Sequence, residues 1–478
     1  MIPLSKLKST VKDALSVIEK KQDVKEAEVF ASASDYSIMR ICYATNVPSN
    51  ALEEPKSNSD HGLSVRILFN DGKIGFGKAD CSFDKKSILK AYEKARHNSV
   101  LDKDFKSFPS NKGRITNASF ADKKLFSLDQ EKPVDLAYAC LDSALSYLEN
   151  KKPSENINIT GELDFAATRI AVANTNSVLE CDETTYCSAS LTTILEAKSD
   201  VSGMWLDTSL YLDKLNSEEV GRASAEKAIA LRGGSYLDSN RYDVVFGSMA
   251  FAELIQNVLT LDLGSVEYNA TPYAQDLGKQ IASPLVSITD NGALKDAVGS
   301  RKITDEGLAT GKTSLIENGI LKDFLSNDYY AKKFSSMKKF SSRNGFRSGG
   351  YASEPHISAT NMVINKGNHS HEELLKEIKN GIYIGRIWYS YQVNGFTSAD
   401  FTSTIRGDSY IIENGKIKSP LIPNTLRIND NFTRILKNIT AIGKQTKQVV
   451  SWGEDSVVIA PEVAVNGVKL DRIANGIY

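Results

Sequence analysis

The chain has 478 residues, 41% hydrophobic and 24% charged, with 58 Lys and Arg against 59 Asp and Glu. That length allows roughly two or three domains of ordinary globular composition. The balanced charge gives no long-range field for nucleic acid or an anionic membrane, and no run approaches the ~18–20 apolar residues that span a bilayer.

The first residues, MIPLSKLKSTVKDALSVIEKK, lack the apolar core of a secretory signal. Leu4, Leu7, Val11, Leu15 and Ile18 recur at helical spacing, so an amphipathic helix is expected. A cytoplasmic location is the expectation, and the sequons at Asn158 and Asn438 then carry no weight. The cysteines are Cys42, Cys81, Cys140, Cys181 and Cys187. An odd, scattered set points to reduced thiols. Cys140 falls on the apolar stripe Leu136, Cys140, Ala144, Leu148 and belongs in a core. Cys181 and Cys187 have no second pair of soft ligands nearby, which argues against zinc there.

Further along, LSVRILF (Leu63 to Phe69) meets KIGFGKA across Asn70-Asp71-Gly72, a hairpin signal. Helices are expected from Asp84 to His97 and from Val134 to Glu149. A β-rich region follows, with RIAVAN and VLECDE around a turn at Thr175-Asn176-Ser177, then the alternating run Tyr186 to Ala197. A helix opens at Asn216, with Glu219 placed for a capping box, and ends at Gly233-Gly234. The polar, glycine-bearing segment RGGSYLDSNRYD separates two blocks, so the chain divides into residues 1–235 and 236–478.

The second block opens with VVFGSMAFAELIQNVL (Val244 to Leu259), a buried strand running into an apolar helix. Ser248 is placed as its N-cap, and Met249, Ala252, Ile255 and Leu259 form a core stripe. Two hairpins turn at Asn318-Gly319 and Asn414-Gly415, where Asn-Gly suits the two positive φ values of a type I′ turn. Between them lies a helix with Ser370 as N-cap, Glu373 answering it and Gly381 past its end. A last helix is expected from Asp430 to Ile442. The fold class is α+β: a mixed α/β N-terminal domain and a β-rich C-terminal domain with packed helices.

Catalytic zinc needs about three protein ligands and an open position, which on a helix means two histidines one turn apart with a glutamate. The histidines are His61, His97, His356, His369 and His371, so the Val244 to Leu259 segment has none. The pair His371-Glu372 lacks the second histidine and reads as polar residues at a helix N-terminus. His97 suits a helix C-terminus. His61 and His356 are isolated. There is no G-x-S-x-G elbow, no P-loop and no G-x-G-x-x-G after a strand. RSGGY (Arg347 to Tyr351) reads as a loop, with anion binding the sharper alternative. The acidic stretches ITDEG and LDLGSVEY read as capping and turn chemistry, with a hard-cation site as the alternative.

SVEYNATPYAQDLGKQIASPLVSITD, then TDEGLATGKTSLIENGILKDFLSNDYYAKKF, then TNMVINKGNHSHEELLKEIKNGIYIGRI resemble the TldD/PmbA family, metallopeptidases and their partners once called modulators of DNA gyrase. HGLSVRILFNDGKIGFGKAD and RIAVANTNSVLECDETTYCSASL extend the resemblance over essentially the whole chain. In that family TldD-type subunits carry an HExxxH helix and a distant cysteine that ligate zinc. PmbA-type subunits, also called TldE, lack the motif and pair with a TldD-type partner. The apolar helix here falls where the HExxxH helix would be and offers only Glu253 and Gln256. VVSWGEDS, with Ser451 and Trp452, stands where the cysteine would be.

The resemblance implies a non-catalytic partner subunit with no metal of its own, zinc being held only by a TldD-type metallopeptidase in a heterodimer that acts on small or unfolded peptides. Two alternatives stay open. One is an independent hydrolase using Glu253, Asp262, Glu267, Asp305 or Glu306 at an atypical carboxylate metal site. The other is a non-enzymatic regulatory homodimer. No catalytic, cofactor or metal residue is assigned. If a peptide cleft is shared, Tyr268, Tyr273, Asp305, Glu306, Arg343 and Asn344 are expected to line it.

Overall fold

The computed structural model describes residues 1–47, 51–53, 55–110, 113–129, 131–196, 201–450 and 456–473. Ala197, Ser451 and Trp452 lie outside them. The chain is a mixed α/β protein organised by two large sheets. In the first, the strands run in the order Val100–Leu101, Lys73–Asp80, Lys56–Phe69, Val24–Ala44, Asn156–Asn174, Leu179–Glu196 and Val201–Ser209, with Ala51–Leu52 also paired to Val24–Ala44. Every pairing in it is antiparallel.

Side chains alternate between the two faces of a strand, and this sheet uses both faces. Odd-numbered positions such as Ala27, Val29, Leu63, Val65, Ala171, Cys187 and Leu191 are buried in two apolar clusters. The helices Leu4–Ile18 and Lys85–His97 cover one cluster, and Glu131–Lys151 and Ser217–Ala230 cover the other. Even-numbered positions, among them Glu28, Phe30, Arg66 and Ile170, turn away from these helices and meet the second half of the chain.

The second sheet has 13 strands gathered around Val457–Arg472. That strand pairs in parallel with Asn361–Ile364 and antiparallel with Asn240–Phe246, Leu426–Asn431 and Ile439–Val450. Its core is one large cluster containing Phe246, Phe251, Phe324, Phe401 and Phe432. Strands of the first sheet end at Ser209 and those of the second begin at Asn240. No helix among the described residues is long and apolar enough to cross a membrane.

Local chemistry explains most element ends. Asn318-Gly319 takes φ 47° and 80°, and Asn414-Gly415 takes 52° and 73°, as the tight hairpins require. Asp84 and Asn216 cap their helices, and Ser370 with Glu373 forms a full capping box. One sequence expectation needs correction, and two gain detail. The helix placed from Asp430 to Ile442 covers only Phe432–Lys437, and Ile439–Val450 is a strand. Asn431 caps its start, and the β-branched Ile439, Thr440 and Ile442 pack better in the sheet against Val457–Arg472. The helix after Ser370 stops at Ile378, where Lys379 takes the left-handed φ of 58°, so Gly381 opens the next strand instead. The stretch after Arg347 is a packed turn on the first sheet: the Tyr351 backbone N–H donates to Ser32 Oγ at 3.0 Å.

Candidate functional site

The helix Ser248–Val258 follows the strand Asn240–Phe246 through Gly247. Gly247 is the N-cap residue, not Ser248, and no side chain caps the helix. A Cβ on Gly247 would sit 2.6 Å from the Tyr383 hydroxyl oxygen, so the strand-to-helix step needs glycine. Ala250, Phe251, Ala252, Leu254, Ile255 and Val258 are buried. The apolar surface therefore wraps farther round the helix than a single stripe, while Met249 is only partly buried.

Of the polar side chains on this helix, Glu253 and Gln256 make side-chain hydrogen bonds to other elements. Glu253 Oε1 accepts from the Ser390 hydroxyl at 3.0 Å, and Gln256 Nε2 donates to Ser456 Oγ at 2.5 Å. Burial pushes the Glu253 carboxyl up to about 7, against the pull of Ser390 and Arg386. Zinc of the family kind needs three or four imidazole, thiolate or carboxylate donors converging on one point. This helix supplies one such group, already held by a serine. Among the described residues no three His, Cys, Asp or Glu side chains approach each other as ligands. The residues present do not fit the metal.

The N-terminal end of the helix opens on a cleft of about 1250 Å³ between the two halves of the chain, bordered by Ser248 and Met249. On one side Glu462 joins two groups: Oε2 lies 2.9 Å from His371 Nδ1, and Oε1 accepts from the Tyr383 hydroxyl at 3.0 Å. The hydrogen bond to Glu462 lifts the His371 pKa above its ordinary value, and burial with the Asp408 and Glu462 charges lifts Tyr383. On the other side is Trp205. Lys227 pairs with Asp408 at 2.7 Å and lies 4.8 Å from the Trp205 ring centre, and the Lys447 ammonium lies 3.0 Å from it.

A second cavity of about 870 Å³ lies on the even-numbered face of the first sheet. There Asp164 accepts from the Tyr36 hydroxyl at 2.5 Å and from Ser188 at 3.2 Å, and burial raises its pKa.

Of the six residues expected to line a shared peptide cleft, Asp305, Glu306 and Asn344 lie around Gly345, whose carbonyl accepts from the Asp305 backbone N–H at 2.9 Å. Tyr268 is exposed on the surface, and Tyr273 is in the core with its hydroxyl on Thr433. Arg343 reaches the Lys312 carbonyl. Asn344 is buried and donates to Asp290 at 2.8 Å. Asp305 borders the second cavity and accepts from the Arg347 backbone N–H at 2.7 Å. Glu306 is buried and accepts from the Asp328 N–H at 3.0 Å. The alternative metal carboxylates do not converge: Asp262 caps the helix Leu263–Glu267, and Glu267 pairs with Lys333 at 2.5 Å.

Sequence reasoning placed His371 at a helix start, where it is, and missed its link to Glu462, 91 positions away. Lys447 and Trp205 had no local signal at all. His369, beside the same cleft, was also read only as a capping-region residue.

Two sheet-based halves meet at a cleft, with an apolar helix at its edge. Models of the PmbA/TldA metallopeptidase family match three successive parts: domain 1 over residues 49–99, the central domain over 123–232 and the C-terminal domain over 239–472. The chain belongs to this family. It is 27% identical over 447 residues to a metalloprotease TldD homolog of Buchnera aphidicola from Acyrthosiphon pisum, covering 90% of this chain and 89% of that protein. It is 26% identical over 473 residues to the metalloprotease PmbA homolog of the same organism, covering 96% and 97%. Its fold is similar to TldE from Thermococcus kodakarensis, with a TM-score of 0.83 at 20% identity over 97% of this chain and 100% of that one. It is also similar to TM0727 of Thermotoga maritima, with a TM-score of 0.81 at 23% identity over 97% and 99%.

Proposed function

We propose that this chain is a non-catalytic subunit that completes a TldD-type zinc metallopeptidase, helping to admit short or unfolded peptides to the partner's metal. The observation that carries the reading is the Ser248–Val258 helix, which has no imidazole or thiol and whose Glu253 and Gln256 side chains are engaged with Ser390 and Ser456. A second feature supports association with another subunit. Trp388, Tyr389, Tyr391 and Phe396 are all exposed within one nine-residue stretch. Arg386 and Arg406 lie 5.5 and 5.1 Å from the Trp388 ring centre, and neither has a carboxylate partner among the described residues. Exposed Trp and Tyr beside Arg are the composition of interface hot spots, and guanidinium groups suit a carboxylate-bearing surface.

The test is co-expression with the TldD-type chain of the same source. A sizing column should give a joint complex, metal analysis should give zinc on the partner only, and peptide cleavage should need both chains. Stoichiometric zinc on this chain purified alone, with cleavage in the partner's absence, would overturn the reading.

A further inference from the structure

We propose that the cleft between the two halves binds the terminal carboxylate of a short peptide, with the Lys447 ammonium on the Trp205 ring as the anion's partner. The peptide part of this inference rests on the function proposed above. The carboxylate part rests on the charges within the cleft.

Apart from the exposed Glu372, the carboxylates around the cleft are engaged. Asp408 pairs with Lys227 at 2.7 Å, and Glu219 pairs with Arg222 at 2.7 Å. Glu462 holds His371 and Tyr383, and Asp296 pairs with Lys214 at 3.3 Å. Asp207 accepts from the Asn216 backbone N–H at 2.9 Å. On the cation side, Lys295, Lys366 and Lys444 are exposed, and water satisfies them. Lys447 differs: it is half-buried, and no carboxylate lies within ion-pair distance among the described residues.

Proteins rarely keep a buried ammonium without a partner, because desolvation disfavours the charge. The Trp205 ring compensates in part as a cation–π contact. Burial draws the Lys447 pKa down to about 7 and Lys227 adds to that, although Asp207, Asp408 and Glu219 pull it back. An incoming carboxylate would restore the missing partner, while the flat Trp205 face accommodates the adjoining apolar stem of a ligand. On the far side Glu462 offers acceptors for peptide N–H groups. At Lys447 a cation, the Trp205 face and open volume coincide.

Lys447→Met keeps the aliphatic stem and removes only the charge. Since that charge is desolvated, the variant should melt at the wild-type temperature or above, which separates ligand effects from misfolding. Trialanine and trialanine amide are titrated calorimetrically into the full chain at pH 6.5. The free acid should bind roughly tenfold or more tightly than the amide, as a charged hydrogen bond implies, and Lys447→Met should abolish the difference. Equal affinity for acid and amide, undiminished discrimination in Lys447→Met, or no binding of the acid would each overturn the inference. Complex formation with the TldD-type subunit is scored separately on a sizing column. A complex without carboxylate discrimination sinks this inference alone, and discrimination without a complex sinks only the subunit reading.

Discussion

The two halves of the chain are joined by a buried charge network, and its central residue is the most informative one to change. Glu28, fully buried on the first sheet, takes a bidentate pair from Arg66 at 2.9 and 2.9 Å and a third contact from Arg347 of the second half at 2.9 Å. Arg66 also lies 3.5 Å from Glu306, and the Arg347 guanidinium lies 4.5 Å from the Phe30 ring centre. Burial works against the Arg66 charge, but Glu28 and Glu306 outweigh it. Burial draws Arg347 down to about 10, so it remains charged at neutral pH. Glu28→Gln keeps the shape and removes the charge, leaving two buried guanidinium groups facing a neutral amide. Removing one partner from a buried ion pair destabilises by about 3–5 kcal/mol, and Glu28 serves two arginines, so the upper part of that range is expected. Adding Arg347→Met removes one stranded cation and should recover about half of the loss, because the two sites are coupled. Urea unfolding followed by tryptophan fluorescence is a suitable assay, since Trp205 borders the cleft between the halves. A loss below about 1 kcal/mol in Glu28→Gln, or a double variant weaker than the single by the full Arg347→Met effect, would refute the reasoning.

Glu253→Gln tests the buried carboxyl on the apolar helix. Its folded pKa of about 7 lies above the ordinary 4.5, so the folded state holds a proton that the unfolded state releases between those values. Wild-type stability should therefore fall as pH rises from about 4.5 through 7, by at most about 3 kcal/mol from this group. Glu253→Gln should gain on wild type across that window and run parallel above it, as read from denaturation midpoints at several pH values; a constant difference would contradict the assigned shift. Trp388→Ala should leave the isolated chain within about 0.5 kcal/mol of wild type yet weaken association with the TldD-type subunit by roughly tenfold, measured by biolayer interferometry. Gly221→Ala should be severe, because its Cβ would meet the Cys140 carbonyl oxygen at 1.9 Å where two helices cross. A loss of about 3 kcal/mol is expected in thermal unfolding, and a neutral result would mean the helices can separate freely.

What was legible in the sequence was local. Asn-Gly turns demand positive φ at both residues, and Ser370 with Glu373 satisfies free helix N–H groups, so hairpins and helix starts could be read directly. Helix ends were less legible where a sheet competed for the same residues: Ile439–Val450 lies in the sheet because Val457–Arg472 was there to pair with it. Pairings between distant residues had no local signal. Glu28 and Arg347 are 319 positions apart, and nothing near either one announces the other. The same holds for Lys447 over Trp205.

The helix without ligands is the point where sequence and structure together say most. A structural metal often supplies the folding energy of its own site, so stripping its ligands would unmake the fold. Here Phe251, Leu254, Ile255 and Val258 are essentially fully buried. At about 1.5–3 kcal/mol for each large apolar side chain, those four contribute roughly 6–12 kcal/mol as an upper estimate. The helix packs mainly on the Val457–Arg472 strand at the centre of the second sheet. Its position is set by packing. A helix held this way can lose its metal donors without losing its place, and Glu253 can pass from any role at a reacting centre to a hydrogen bond with Ser390. On the subunit reading proposed above, that is the physical condition for keeping the scaffold and the cleft while leaving the chemistry to another chain.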